Sequence, residues 1–121
     1  MRKQPDRQRS RMRERLEAMR ARAEKSTSWR IPVAYLLRLV NHKGEVPIGT
    51  RLTREDLIFL AEAREEVELL AEAALRILEL HHPKPSGGLS SDPENPLRRC
   101  RACMTRWPCP TFRALTTSLD H

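Results

Sequence analysis

Three cysteines fall within ten residues near the end of this 121-residue chain, in the stretch "CRACMTRWPCPTFRAL" from residue 100 to 115. Two thiols separated by two residues reach one ion from a single tight turn, which is half of many structural zinc sites. A tetrahedral ion asks for four donors, with thiolate and imidazole favoured by a soft or borderline metal. Cys100, Cys103 and Cys109 supply three. The fourth must be His81, His82, His121, a water or a group from another chain. His81 and His82 are preferred. They stand just before a flexible stretch that lets the tail fold back, whereas fixing the terminal His121 costs more conformational entropy.

The neighbours of the cysteines suit a metal site. Pro108 and Pro110 restrict the backbone on both sides of Cys109. Pro110 can open a terminal helix, leaving Cys109 at the end where the helix dipole favours thiolate over thiol. Trp107, Phe112 and Leu115 can form a small apolar cover over the sulfurs. Met104 stands where a knuckle of this kind usually carries glycine. Reduced structural cysteines and a redox pair are the competing readings. A thioredoxin-like dithiol needs a strand before its first cysteine, and none is expected before Cys100. A catalytic thiol needs a positioned base and an oxyanion site, and nothing nominates either. The expectation is a non-enzymatic chain carrying zinc.

The tail also resembles the C-terminal ending of short, uncharacterised proteins of actinobacteria and their phages, in which a C-x2-C pair is followed by W-P-C-x-T and a basic, apolar end. Cys100, Cys103, Trp107, Pro108, Cys109, Pro110, Thr111, Arg113 and Leu115 carry the likeness. The segment "EDLIFLAEAREEVELLAEAALRILEL" is similar to the helix that often precedes that ending. The resemblance implies an origin and a metal knuckle, and brings no activity with it. Many such tails have a histidine shortly before the first cysteine; here the nearest are His81 and His82.

The elements that must position this cluster read as helices. The fold class expected is all-α: a long helical hairpin with a short middle helix and a small zinc-knuckle-like tail. A basic helix spans about 6–26, free of Gly and Pro and rich in good helix formers, with Met12, Leu16, Met19 and Ala23 as one narrow apolar stripe. A short helix follows over about 32–42, with Pro32 in its first position and Gly44 available for a left-handed cap. Its apolar residues, Val33, Leu36, Leu37, Leu39 and Val40, lie on more than one side and predict the most buried element. A long helix spans about 53–82. Thr53 and Asp56 form a capping-box variant, and Leu52 and Leu57 stand where a hydrophobic staple needs them. Leu60, Ala63, Val67, Leu70, Ala74 and Ile77 form its seam, for the first helix or for a second copy of the chain. Residues 1–82 make a helical domain, 83–97 a flexible linker rich in Pro, Gly and Ser, and 98–121 the knuckle and terminal helix.

Charge divides along the chain. Residues 1–30 carry +7, 31–51 carry +2, 52–82 carry −5 and 83–121 carry +3, out of a net +7. Arg9, Arg11, Arg13, Arg15, Arg20 and Arg22 make the first helix a candidate nucleic-acid arm, contacting the phosphate backbone without sequence preference. The alternative is that these charges pair with the acidic third helix, where each exposed pair contributes at most about 1 kcal/mol. No apolar h-region follows the charged N-terminus, and no apolar run is long enough for a bilayer span. The expected setting is therefore the cytoplasm, with no membrane partner. Two functions are expected: a zinc-binding accessory module that binds protein or nucleic acid, or a structural protein that self-associates through its long helix.

Overall fold

The Arg-, Glu- and Ala-rich run near the N-terminus forms helix α1, Lys3–Lys25, in a computed structural model that describes residues 3–85 and 97–120. The other elements are α2 (Arg30–Leu37), α3 (Arg54–Leu80), β1 (Pro83–Pro85), β2 (Arg98–Cys100) and α4 (Pro110–Leu119). The chain groups into two units, residues 1–66 and 67–121. The fold is mostly helical, and the all-α expectation is corrected by a two-stranded antiparallel sheet. Among the described residues no helix is long and apolar enough to cross a membrane.

In the first unit, two polar anchors join α1 to the start of α3. Arg22 forms an ion pair with Glu66 and reaches Glu62 at 3.8 Å. Just beyond α1, Thr27 bonds to Asp56 with its N–H at 2.5 Å and its hydroxyl at 3.0 Å. Asp56 also closes the expected capping box. It accepts from the Thr53 N–H at 3.0 Å, while its own N–H donates to the Thr53 hydroxyl at 3.1 Å. Leu52 and Leu57, the proposed staple, both remain exposed.

These anchors set which face of α3 turns inward. Phe59, Ala63 and Glu66 are partly covered, and Asp56 is buried. With steps of 3, 4 and 3 residues these four share one stripe of the helix. The expected seam holds in part: Ala63, Ala74 and Ile77 are partly covered, while Leu60, Val67 and Leu70 stay exposed. Met19 is the buried apolar residue of α1, and Met12 and Leu16 of its stripe are exposed.

The short helix also departs from expectation. It begins at Arg30, so Pro32 lies within the first turn, where its missing N–H costs nothing. It ends at Leu37 because Asn41 organises a turn of its own. The Asn41 Oδ1 accepts from the N–H groups of Lys43 at 2.9 Å and Glu45 at 3.1 Å, and its carbonyl accepts from Gly44 at 3.0 Å. Gly44, at φ +80°, takes the left-handed position in that turn instead of capping the helix. No residue of α2 is buried; Ile31 and Leu37 are 82% and 68% exposed.

In the second unit, β1 and β2 pair with Pro83 opposite Cys100, Lys84 opposite Arg99 and Pro85 opposite Arg98. Prolines suit an edge strand, which leaves alternate N–H groups unpaired. The chain then turns back on itself. Cys100 N–H donates to Thr105 at 2.8 Å, Trp107 N–H donates to Arg98 at 2.9 Å, and Arg99 bridges Arg106. The expectation that no strand precedes Cys100 is thus overturned, because β2 ends on it. The expected linker of residues 83–97 begins in β1 and ends just before β2; residues 86–96 lie outside the described ones.

Candidate metal centre

Each donor is placed by a different local device. His81 follows the last turn of α3, and its N–H still donates to the Ile77 carbonyl at 2.9 Å. Cys100 ends β2 and is buried. The turn after it closes through the Met104 N–H to the Cys100 carbonyl at 2.9 Å, which carries Cys103 round to the same side. Met104 takes φ +62°, the left-handed conformation for which glycine is ordinarily used. Cys109 caps α4: its backbone is extended, Pro110 follows, and its sulfur accepts the Phe112 N–H at 3.4 Å.

The result is one cluster. A nitrogen of His81 and the sulfurs of Cys100, Cys103 and Cys109 lie within 4.8 Å of one another. The Nδ1 of His81 stands 3.3 Å from the Cys100 sulfur and 3.7 Å from that of Cys109. Zinc-type bonds of about 2.0–2.1 Å to nitrogen and 2.3 Å to sulfur, set in a tetrahedron, give an edge of about 3.6 Å. The two observed edges bracket that length, so three thiolates and one imidazole fit around one metal ion.

His82 is directed elsewhere. Its Nδ1 lies 2.8 Å from the Glu79 carbonyl, and its own carbonyl accepts from the Arg101 N–H at 2.9 Å. Of the two adjacent histidines, His81 joins the sulfurs and His82 holds the strand that follows. His121 lies outside the described residues.

Hydrogen bonds tune the sulfurs unequally. The Cys103 thiol is pushed down to about 6, first by the Thr105 hydroxyl 2.9 Å from its sulfur and then by the Thr105 N–H. Burial pushes the Cys100 thiol up, opposed by the N–H groups of Cys103 and Ala102. A metal ion replaces the solvation that burial removes and draws every ligand to its thiolate form. Trp107 and Phe112 pack with ring centroids 4.7 Å apart and are both partly covered. Sequence reasoning missed Thr105; its only signal was a hydroxyl two residues after a C-x2-C pair.

The arginines are distributed differently. Arg9, Arg11, Arg13, Arg15 and Arg20 are exposed along α1. Arg13 pairs with Glu17 at 2.9 Å and Arg20 with Glu24 at 3.9 Å, both one turn apart. Arg22 is engaged by Glu66. Arg9, Arg11 and Arg15 have no ion pair among the described residues. No family model, curated protein or solved structure matches the chain.

Proposed function

We propose that this chain is a zinc-ordered binding module and not an enzyme. The convergence of His81, Cys100, Cys103 and Cys109 on one point carries the proposal. Four protein donors complete a tetrahedron and leave no position for substrate or water, the arrangement of structural zinc sites. Structural zinc contributes folding free energy directly, which a segment with so small a core needs. The helical part then presents the binding surface, with Arg9, Arg11 and Arg15 free to meet phosphate. An accessory or regulatory role in an actinobacterium or its phage accords with the tail resemblance. Elemental analysis of purified protein after removal of loosely held metal is the test. One zinc per chain is expected, and a metal-free folded protein would overturn the proposal.

A second reading has its own observation behind it. Leu60, Val67 and Leu70 on α3, with Met12 and Leu16 on α1, form apolar stripes that this chain leaves uncovered. Within the first unit an apolar cleft of about 510 Å³ is lined by Trp29, Val33, Leu36, Ile48 and Leu60, among others. A second copy offers matching charge, because α1 is basic and α3 acidic. We infer that two copies associate with α1 of each along α3 of the other. Sedimentation equilibrium should give a dimer that Val67→Glu and Leu70→Glu dissociate. A monomer at high concentration would rule this out.

A further inference from the structure

We propose that the sheet beside the metal centre carries a second nucleic-acid contact, a ridge formed by Lys84, Arg99 and Arg106 that binds phosphodiester backbone. The proposal rests on the zinc-ordered tail, since the metal holds the strands that align these residues.

The observation is one of register. Lys84 is the partner of Arg99 across β1 and β2, and Arg99 is the bridge partner of Arg106. Residues directly opposite in an antiparallel pair project from the same face. The bonds flanking Arg99 and Arg106, from Cys100 to Thr105 and from Trp107 to Arg98, mark the narrower kind of pair, with side chains drawn close. Three cations are therefore set side by side. Like charges in that position oppose folding, so an isolated domain gains nothing from the row, whereas an anion laid across it turns the repulsion into binding. Arg99 is already steadied: one guanidinium nitrogen donates to the Met104 carbonyl at 3.2 Å, leaving its other N–H groups for a ligand.

Among the described residues no carboxylate pairs with the row. Lys84, Arg98, Arg99, Arg101, Arg106 and Arg113 have no ion pair among the described residues. Between 97 and 119 there is no carboxylate side chain. Asp92 and Glu94 lie outside the described residues. Three thiolates around a divalent ion leave one negative charge, too little for six cations. A line of cations matches a line of phosphates, and arginine forks suit phosphate oxygens. Trp107 and Phe112 pack on each other at a tilt of 36°, both partly covered, and are not presented as a base platform. The contact is thus with backbone, for single and double strands alike.

The test uses the full zinc-loaded chain, with fluorescence anisotropy of a short labelled DNA duplex and of its single strand across a salt series. Replacing Lys84, Arg99 and Arg106 together with Gln should weaken binding about tenfold or more at moderate salt. The slope of log K against log salt should become shallower by about 0.9 for each duplex phosphate that the variant no longer neutralises. Zinc content should be unchanged and thermal stability equal or higher, since the repulsion is gone. The charge-conserving Arg99→Lys, Arg106→Lys variant should keep the slope. If the triple variant loses zinc, Arg106→Gln alone decides by its slope. An unchanged affinity and slope in the ridge variants overturns the ridge. If Arg9, Arg11 and Arg15 variants alone lose binding, α1 is the sole contact and the ridge is also overturned. Binding to phosphatidylserine vesicles without binding to either DNA overturns it as well. The zinc stoichiometry of the wild-type chain is read separately by elemental analysis, so its failure is distinguishable from failure of the ridge.

Discussion

Thr27 and Asp56, 29 residues apart in sequence, are joined by two hydrogen bonds, one from the Thr27 N–H and one from its hydroxyl. With the bond it also accepts from the Thr53 N–H, one carboxylate ties the end of α1 to the start of α3. A buried charge is tolerated when donors replace the water it has lost. Here those donors, the Thr27 N–H first and the Thr53 N–H next, hold Asp56 below the usual carboxylate range.

Asp56→Asn should therefore destabilise the chain in a pH-dependent way. A carboxylate whose folded pKa is depressed adds stability above its unfolded value, near 4, and loses it as pH falls through the folded value. Thermal midpoints of wild type and variant should differ most at neutral pH and converge in acid. A gap that stays constant down to pH 3 would show that the ionised form is not what the donors stabilise.

The capping box was legible because Thr53 and Asp56 are three residues apart, within reach of local pattern. The partnership with Thr27 was not, because nothing in a sequence pairs positions across two loops. The missed partnership has a consequence for α3. Of the seam read from helical spacing, Ala63, Ala74 and Ile77 are partly covered, whereas Leu60, Val67 and Leu70 are exposed, and Asp56 and Glu66 turn inward on the first part of the helix instead. The candidate metal ligands were legible in kind and spacing. The choice between His81 and His82 was not, since consecutive residues at a helix end point about 100° apart. The strands escaped notice because β1 is only three residues long and two of them are prolines. It is the return of the tail, with Cys100 beside His81, that brings it opposite β2.

His81→Ala should abolish stoichiometric zinc binding, while His82→Ala should retain it. The ring of His81 faces two sulfurs, and that of His82 faces the Glu79 carbonyl. Removing one of four ligands in a closed site lets water in and lowers affinity by orders of magnitude. Elemental analysis of both variants separates the histidines. Equal zinc content in the two would reassign the fourth donor.

Met104→Gly should strengthen the tail. Met104 holds φ +62° with an exposed side chain, so the backbone bears the cost of a left-handed residue without packing in return. That cost is about 1 kcal/mol, partly offset by the greater entropy of glycine in the unfolded chain. A chelator competition should show zinc held up to about fivefold more tightly. Met104→Ile, with a branched side chain less able to take this conformation, should shift affinity the other way.

Thr105→Val should raise the pH at which the centre loses its metal. Metal and protons compete for the same sulfurs, so loading falls as acid protonates the thiolates. The Thr105 hydroxyl is the chief cause of the low value of Cys103, about 6, and valine keeps the shape of the side chain without that donor. Cys103 should then bind protons at higher pH, and half-loading should move upward. The Thr105 N–H remains, so the shift is partial. Substituted cobalt reports the result through its sulfur-to-metal absorption, followed from pH 8 downward. Coincident curves for wild type and variant would mean that the bond to Thr105 does not survive once the sulfur binds metal.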